Sequence, residues 1–209
     1  MKSHFDDVST QWDTSERIER AAIIAHEIRK FIPLEQYKNI LEFGCGTGLL
    51  SFYLRHETSH FTLLDASMGM IEVVKQKIET QHATNFTAIH GDLSSPALQD
   101  ESFDVIYSSM SLHHVADIEH VGKRFGELLQ AHGYLCIIDL TEEDGAFHQG
   151  EQDFHGHHGF NVKTLAETLS HYGLRYEDAE IFYHGKKNKG THEVAYSLFI
   201  LLLKKEHEK

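Results

Sequence analysis

Short apolar runs alternate with amphipathic segments along most of the chain. The five clearest runs are 40–43, 61–64, 86–89, 103–107 and 134–140. Runs of this length and character are typical of strands that are buried in a parallel sheet. The segments between them carry apolar residues at helical spacing. The pattern therefore predicts helices that connect parallel strands by right-handed crossovers.

The predicted helices have start and stop signals in the sequence. Apolar residues recur at helical spacing after Thr14, and Pro33 ends that pattern. Ser67 is suited to cap a helix that runs to about Thr80. The remaining helices are predicted at about 48–55, 118–130 and 162–172, the last of them capped by Asn161 and closed by Gly173.

The pattern changes after residue 140. Residues 141–160 are acidic and histidine-rich, with no clear period, and the sequence ends in two longer β-like runs at 174–183 and 193–203. The stretch 186–190 between these runs reads Lys-Lys-Asn-Lys-Gly and predicts a solvated hairpin turn. The last two strands should therefore be antiparallel.

Composition narrows the class of protein. The chain has 209 residues, of which 41% are hydrophobic and 24% are charged, as expected for one soluble domain. A formal net charge of −13 argues against nucleic acid as a partner. No apolar run approaches the length of a membrane span, and the first residues lack a secretory signal. Two cysteines, Cys45 and Cys136, then predict free thiols in a cytoplasmic protein.

The first predicted strand leads into a turn with three alternating glycines. Gly44, Gly46 and Gly48 follow the apolar run 40–43 and precede a predicted helix. Glycine tolerates positive φ angles and allows a ligand to approach the backbone closely. The turn therefore predicts a site where a polar ligand is held by exposed backbone N–H groups.

Three acidic residues fall at the carboxyl ends of consecutive predicted strands. They are Glu42, Asp65 and Asp92, and ligands of open α/β sheets bind at this edge. Asp65 lies some twenty residues beyond the first glycine, a position suited to accept the hydroxyls of a ribose. Each hydrogen bond to such a charged acceptor contributes about 1.5–3 kcal/mol. The acids therefore indicate a nucleoside ligand.

The pattern is compatible with two kinds of nucleoside ligand, a dinucleotide such as NAD and a cationic nucleoside. A glycine turn followed by Asp65 also fits NAD, but Leu49, Leu50 and Ser51 stand where a dinucleotide site needs its last glycine. The turn also contains no lysine or arginine, and Glu42 lies directly beside it. These features favour a positively charged nucleoside without phosphate.

Five motifs in order resemble those of class I S-adenosylmethionine-dependent methyltransferases, in particular the small-molecule type related to quinone-biosynthesis methyltransferases. The motifs are Leu-Glu-Phe-Gly-Cys-Gly-Thr-Gly at 41–48, Leu-Leu-Asp-Ala-Ser-x-x-Met at 63–70, Gly-Asp-Leu at 91–93, the stretch 103–115, and Gly-Tyr-Leu at 133–135. The resemblance covers nearly the whole chain. It implies a single domain, 1–209, with a Rossmann-like doubly wound α/β fold. Its seven-stranded sheet would have the order 3-2-1-4-5-7-6, with strand 7 antiparallel.

The resemblance also implies how S-adenosylmethionine would be held. Glu42 and the glycine turn would bind the methionine moiety, Asp65 the ribose, and Asp92 the adenine. The full predicted cofactor-binding set is Glu42, Phe43, Gly44, Gly46, Gly48, Asp65, Ala66, Met70, Asp92, Leu93, Ser108 and Ser109.

The remaining expectations concern the acceptor. Residues 1–35, with Trp12 and Arg17, would form a helical lid, and 141–160 an insertion on the acceptor side. The expected activity is methyl transfer to an unidentified small molecule, and the alternative is a sensor or subunit that binds S-adenosylmethionine without catalysis. An NAD-dependent oxidoreductase is disfavoured. We expect no membrane partner, and a monomer or homodimer.

Histidines supply the candidates for catalysis. His113 and His114 follow the fourth strand, and His157 lies in a second group with His148, His155 and His158. A histidine here could act as a general base or substrate contact, as a metal ligand, or in packing only. Because no spacing is diagnostic of a metal site, the sequence prediction is His113, His114 and His157 as catalytic residues and no metal.

Overall fold

A seven-stranded mixed sheet forms the centre of the computed structural model, which describes residues 4–150, 154–188, 190 and 193–206. The strands are β1 (Asn39–Phe43), β2 (His60–Asp65), β3 (Phe86–His90), β4 (Phe103–Ser109), β5 (Leu129–Leu140), β6 (Leu174–Asn188) and β7 (Glu193–Lys205). Their order is β3-β2-β1-β4-β5-β7-β6. β7 is antiparallel to both of its neighbours, and β1 to β5 are parallel. The predicted fold class and strand order are confirmed.

Several of the helices begin after a residue whose side chain caps them. They are α1 (His4–Val8), α2 (Ser15–Phe31), α3 (Leu49–Leu54), α4 (Met68–Thr80), α5 (Ile118–Leu128) and α6 (Val162–Ser170). The side chains of Thr14, Ser67 and Asn161 each accept a hydrogen bond from a backbone N–H in the first turn of the helix that follows. Such bonds satisfy N–H groups that have no partner within the helix. The start of each of these three helices was therefore predicted correctly.

The two faces of the sheet have separate apolar cores. Ile40 packs with residues of α2, α3 and α4, whereas its neighbour Leu41 packs with residues of α5 and α6. Successive side chains of a strand point to opposite faces, so β1 contributes to both cores. Because helices cover both faces, the carboxyl ends of the parallel strands are left as the place where a ligand can enter.

The structure corrects two predicted boundaries. Residues 129–130 were expected to end a helix, but Leu129 pairs with Phe103 at the start of β5, ahead of a shift in register. Residues 186–188 were expected in a solvated turn, but they continue β6 and pair with β7. Lys187 is held in β6 because its ammonium donates to the backbone carbonyl of Phe147 at 3.0 Å and lies 4.0 Å from the centre of the Phe147 ring. The predicted turn residue Lys189 lies outside the described residues.

Cys45 and Cys136 are both buried free thiols, as the sequence predicted. Among the helices that the structure describes, none combines the length and the apolar character required to span a membrane.

Candidate functional site

The glycine turn after β1 has a backbone that other residues adopt only with strain. Gly44, Gly46 and Gly48 have φ angles of 68°, 53° and 76°. The N–H of Gly44 donates to the carbonyl of Leu64 at 2.8 Å, which fixes the turn to the end of β2. A Cβ atom at Gly44 would lie 1.7 Å from the hydroxyl oxygen of Ser111. Position 44 therefore needs a glycine for two reasons, its positive φ angle and the lack of space for a side chain.

Asp65 joins the end of β2 to this turn. Its Oδ2 accepts a hydrogen bond from the Gly46 N–H at 2.7 Å, and its Oδ1 accepts one from the Ser67 N–H at 2.8 Å. Burial raises the pKa of Asp65, and these two backbone hydrogen bonds act in the opposite direction. A carboxylate can accept about four hydrogen bonds, so Asp65 retains acceptor capacity for the hydroxyls of a ligand.

Glu42 is buried beside the turn, with 3% of its surface exposed. The Ser51 hydroxyl donates to Glu42 Oε2 and also lies 2.6 Å from the Tyr107 hydroxyl. Burial raises the pKa of Glu42 to about 8, although the hydrogen bond from Ser51 lowers it. A cationic group placed against Glu42 would favour its ionised form.

A cavity of about 500 Å³ opens at the carboxyl ends of the strands, within the usual range of about 300–1,000 Å³ for small-molecule sites. Most of the predicted cofactor residues line it: Glu42, Phe43, Gly44, Gly46, Asp65, Ala66, Met70, Asp92, Leu93 and Ser109. Gly48 and Ser108 do not. Gly48 is the residue before α3, and Ser108 is fully buried within β4.

The N-terminal segment forms another wall of the cavity. Trp12 Nε1 lies 3.7 Å from the position a Cβ would take at Gly46, so the indole stands over the glycine turn. The Arg17 guanidinium lies 3.8 Å from the centre of the Trp12 ring. Sequence reasoning named these two residues but missed Arg20 and Ile24, which also line the cavity. The helical spacing of Arg17, Arg20 and Ile24 is the signal that could have found them.

Hydrogen bonds tie this segment to the site. The Thr47 hydroxyl donates to Asp13 at 2.5 Å, and Lys77 pairs with the same carboxylate at 2.6 Å. At the other end of the segment, the Ser67 hydroxyl donates to Asp6 at 2.6 Å. The N-terminal segment is therefore attached both to the glycine turn and to the start of α4.

The two neighbouring histidines after β4 lie in different surroundings. His113 is 1% exposed, and its Nδ1 lies 2.5 Å from Oδ1 of Asp139. The other oxygen of Asp139 accepts a hydrogen bond from the His113 backbone N–H at 3.1 Å. His113 does not line the cavity, whereas the exposed ring of His114 does. Of these two predicted catalytic residues, His114 is therefore the one placed to meet a ligand.

The segment 141–160 packs behind these histidines. The N–H of His157 donates to the His113 carbonyl at 2.7 Å, and a Cβ at Gly156 would lie 2.0 Å from that same oxygen. The His157 ring packs on Phe160, with ring centres 5.1 Å apart. None of the described residues of this segment lines the cavity. His157 is therefore a neighbour of His113 rather than part of the cavity wall.

Comparison with known proteins finds methyltransferases that are similar to this chain. Residues 41–137 match the protein family described as a methyltransferase domain. An uncharacterized methyltransferase of Schizosaccharomyces pombe is 26% identical over 172 residues, which are 76% of this chain and 60% of that protein. A demethylmenaquinone methyltransferase of Listeria welshimeri is 29% identical over 119 residues, which are 56% of this chain and 50% of that protein. The chain thus matches 50–60% of the length of these two relatives.

The fold has close structural counterparts. A structure of the Haloferax volcanii Trm112 methyltransferase activator in complex with a methyltransferase matches with a TM-score of 0.78 and 15% identity. The match covers 99% of this chain and 100% of that chain. The match of residues 41–137 to the methyltransferase domain family, and the fold shared with methyltransferase structures, support the resemblance that the sequence motifs indicate.

Proposed function

We propose that this protein transfers a methyl group from S-adenosylmethionine to a small-molecule acceptor. The observation that carries the proposal is the meeting of the glycine-turn backbone, Glu42 and Asp65 in one cavity. The turn contains no lysine or arginine. The acids therefore favour a cationic nucleoside over a nucleotide phosphate.

The cofactor would lie along the strand ends. Its ribose hydroxyls would be bound by Asp65, its adenine would lie beside Asp92 and Leu93, and its ammonium would face Glu42. Arg17 is suited to hold the carboxylate of the methionine moiety. Burial and the neighbouring Arg20 both lower the pKa of Arg17, so an anion at this point would stabilise its charged form.

Methyl transfer needs alignment more than it needs acid or base groups. A lone pair of the acceptor forms a bond to the methyl carbon while the carbon–sulfur bond breaks, and the released electron pair stays on sulfur to give S-adenosylhomocysteine. Holding the two reactants in line can supply about 7–11 kcal/mol. An acceptor that must lose a proton needs a base, and His114 in the cavity wall would accept that proton.

Two segments would control access to this reaction. We propose residues 1–35 as the lid, because Trp12 stands over the glycine turn and α2 supplies part of the cavity wall. Residues 141–160 would shape the acceptor side from behind, through their contact with the carbonyl of His113. In this arrangement the chain, 1–209, is a single methyltransferase domain.

The single tryptophan offers a direct test of cofactor binding. Trp12 is the only tryptophan of the chain and lies against the turn that would hold the methionine moiety. Titration with S-adenosylhomocysteine or S-adenosylmethionine should change its fluorescence saturably, whereas NAD should not. A Trp12→Phe variant should lose the signal and still be stabilised, by about 2.7 kcal/mol at a ligand concentration 100 times the dissociation constant. Saturable binding of NAD alone would contradict the proposal.

Turnover separates the enzyme from the alternative function. The protein should be incubated with S-adenosylmethionine and a panel of phenols, amines, thiols and quinone precursors, and S-adenosylhomocysteine should be measured. Turnover of any member would support the methyltransferase. Tight cofactor binding without turnover across the panel would favour the alternative, a sensor or subunit that holds S-adenosylmethionine.

A further inference from the structure

Three histidine rings converge beside the cavity. One ring nitrogen from each of His113, His114 and His148 lies within 4.8 Å of the others. His113 and His148 are 1% and 4% exposed, and His114 lines the cavity. We propose that these three imidazoles bind one divalent transition-metal ion of the zinc type, although the spacing of the histidines in the sequence did not predict it.

Asp139 orients the first of these ligands. Its carboxylate is fully buried and holds both the ring Nδ1 and the backbone N–H of His113. The bond to Nδ1 leaves Nε2 as the nitrogen with a lone pair for a metal. Histidines that bind metals almost always donate their other ring N–H to a carboxylate, a carbonyl or water. Asp139 supplies that partner.

The distances fit a site that tightens when the ion enters. In a tetrahedral zinc site with zinc–nitrogen distances of about 2.0–2.1 Å, neighbouring nitrogens are about 3.3 Å apart. The ring centres of His113 and His114 are 4.2 Å apart, and those of His113 and His148 are 5.0 Å apart. Small rotations of the side chains, above all of the exposed His114, would bring one nitrogen of each ring within bonding distance of a single ion.

The surroundings favour a transition metal in a partly dry site. Phe154 stacks on His148 with ring centres 3.7 Å apart, and Phe147 packs against the same ring at 4.9 Å. Imidazole ligands suit zinc, copper, iron or nickel, whereas magnesium and calcium prefer oxygen. Three histidines also leave a fourth position, as in catalytic zinc sites.

A second set of residues competes for the same ion. Glu143, His148 and His158 also offer ligand atoms within 4.8 Å of one another. We favour the first set for two reasons: Asp139 orients His113, and His114 connects that set to the cavity wall. The experiment below distinguishes the two sets.

The role of the ion rests on the proposed methyl transfer. With the ion bound, His114 would be a ligand and no longer the base, and an acceptor hydroxyl or thiol bound to the ion would instead lose its proton to water more readily. The oxygen or sulfur would then form the bond to the methyl carbon as the carbon–sulfur bond of the donor breaks. Binding of the ion can be tested without the reaction.

Metal binding should be measured on the full chain without an affinity tag, after removal of metals with a chelator. Titration with Co²⁺ should give the visible absorption of a tetrahedral site at one ion per chain, and Zn²⁺ should displace it. Loss of one of three ligands, in His114→Ala or His148→Ala, should weaken binding by at least the roughly 10–100-fold that loss of a ligand-orienting residue costs. The exposed His155, in the same segment as His148, provides the matched control, and His155→Ala should bind as the wild-type protein does.

Two further variants sharpen the assignment. Asp139→Asn should weaken metal binding by about 10–100-fold, the effect expected for a residue that orients a ligand. His158→Ala should leave binding unchanged. Loss of binding in His158→Ala but not in His114→Ala would place the ion in the second set and overturn the proposal, as would failure of the wild-type protein to bind one ion per chain.

Cofactor binding provides the independent readout. His148→Ala should still bind S-adenosylhomocysteine, as reported by Trp12 fluorescence, which shows that the variant is folded. A wild-type protein that binds Co²⁺ but not S-adenosylhomocysteine would refute the proposed function and leave the metal site standing. The reverse result would refute the metal site alone.

Discussion

The two sides of the cavity are built in different ways. On the side proposed to bind the methyl donor (the donor side), backbone groups of a glycine turn and carboxylates at strand ends come from three short stretches around Gly44, Asp65 and Asp92, each of which carries its own local sequence signal. On the histidine side, His113, Asp139 and His148 come together only because β4, β5 and the segment 141–160 meet in space. The donor side therefore depends on the shape of a backbone turn together with carboxylates, and the histidine side on side-chain chemistry. Variants of each side should fail in different assays.

The largest effect is expected at Gly44. In Gly44→Ala the new Cβ would lie 1.7 Å from the Ser111 hydroxyl oxygen, at a φ angle of +68°. We expect affinity for S-adenosylhomocysteine, measured by Trp12 fluorescence, to fall about a hundredfold or more because the turn must move. Gly150 provides the control, because it has a φ angle of +90° but no atom of the described residues within 4 Å of its Cβ position. Unchanged affinity in Gly44→Ala would separate the turn from the cofactor site.

Asp65→Ala should have the next largest effect. It removes the proposed acceptor of the ribose hydroxyls and the hydrogen bonds to Gly46 and Ser67. Loss of even one such bond, worth about 1.5–3 kcal/mol, should weaken binding of S-adenosylhomocysteine at least about tenfold. Asp100 is an exposed acid outside the cavity wall, and Asp100→Ala should bind normally in the same calorimetric titration. Normal affinity in Asp65→Ala would remove it from its proposed role.

His114→Ala tests the histidine side. We expect turnover of the panel member that the wild-type protein methylates fastest to fall about tenfold or more, because the variant lacks the imidazole that would accept the proton or, with an ion bound, hold the ion. Affinity for S-adenosylhomocysteine should stay close to that of the wild-type protein. The exposed His171, which follows α6, gives a control variant that should keep full turnover. If His114→Ala lost affinity for S-adenosylhomocysteine as strongly as it lost turnover, the two sides of the cavity could not be separated.

The smallest effect concerns stability at Glu42. Burial raises the pKa of Glu42 in the folded protein to about 8. The contribution of Glu42 to stability is therefore fully present below the pKa that its carboxyl has in the unfolded chain, near 4.5. That contribution is lost as the pH rises through about 8. Glu42→Gln, which carries no charge, should therefore raise the free energy of unfolding by about 1 kcal/mol or more at high pH.

Urea denaturation on either side of the pKa of Glu42 provides the check. The gain in Glu42→Gln should be larger at about pH 9 than at about pH 6, since wild-type Glu42 must hold its charge in the folded state only at the higher pH. Affinity for S-adenosylmethionine should fall in the same variant, because the ammonium of the ligand loses an anionic partner. A gain in stability that does not depend on pH would show that Glu42 is not buried in this way.

Much of the donor side could be predicted from the sequence because its signals are local. The glycines at 44, 46 and 48 mark a turn that needs positive φ angles, and Asp65 follows directly from the end of an apolar run. The capping residue Ser67 likewise indicated where α4 begins. Ser108 was predicted at the site but is buried in β4, because adjacent residues of a strand face opposite sides.

The sequence by itself determined the sheet, the glycine turn at its edge and the resemblance to methyltransferases, because the apolar periodicity, the glycines and the helix caps are signals that act over a few residues. Only the tertiary structure decided that Lys187 reaches Phe147 and that Asp139 holds His113. Each of these depends on segments that are distant in sequence, and their meeting is set by how the helices and strands pack. The convergence of three histidines beside the cavity follows from the same packing.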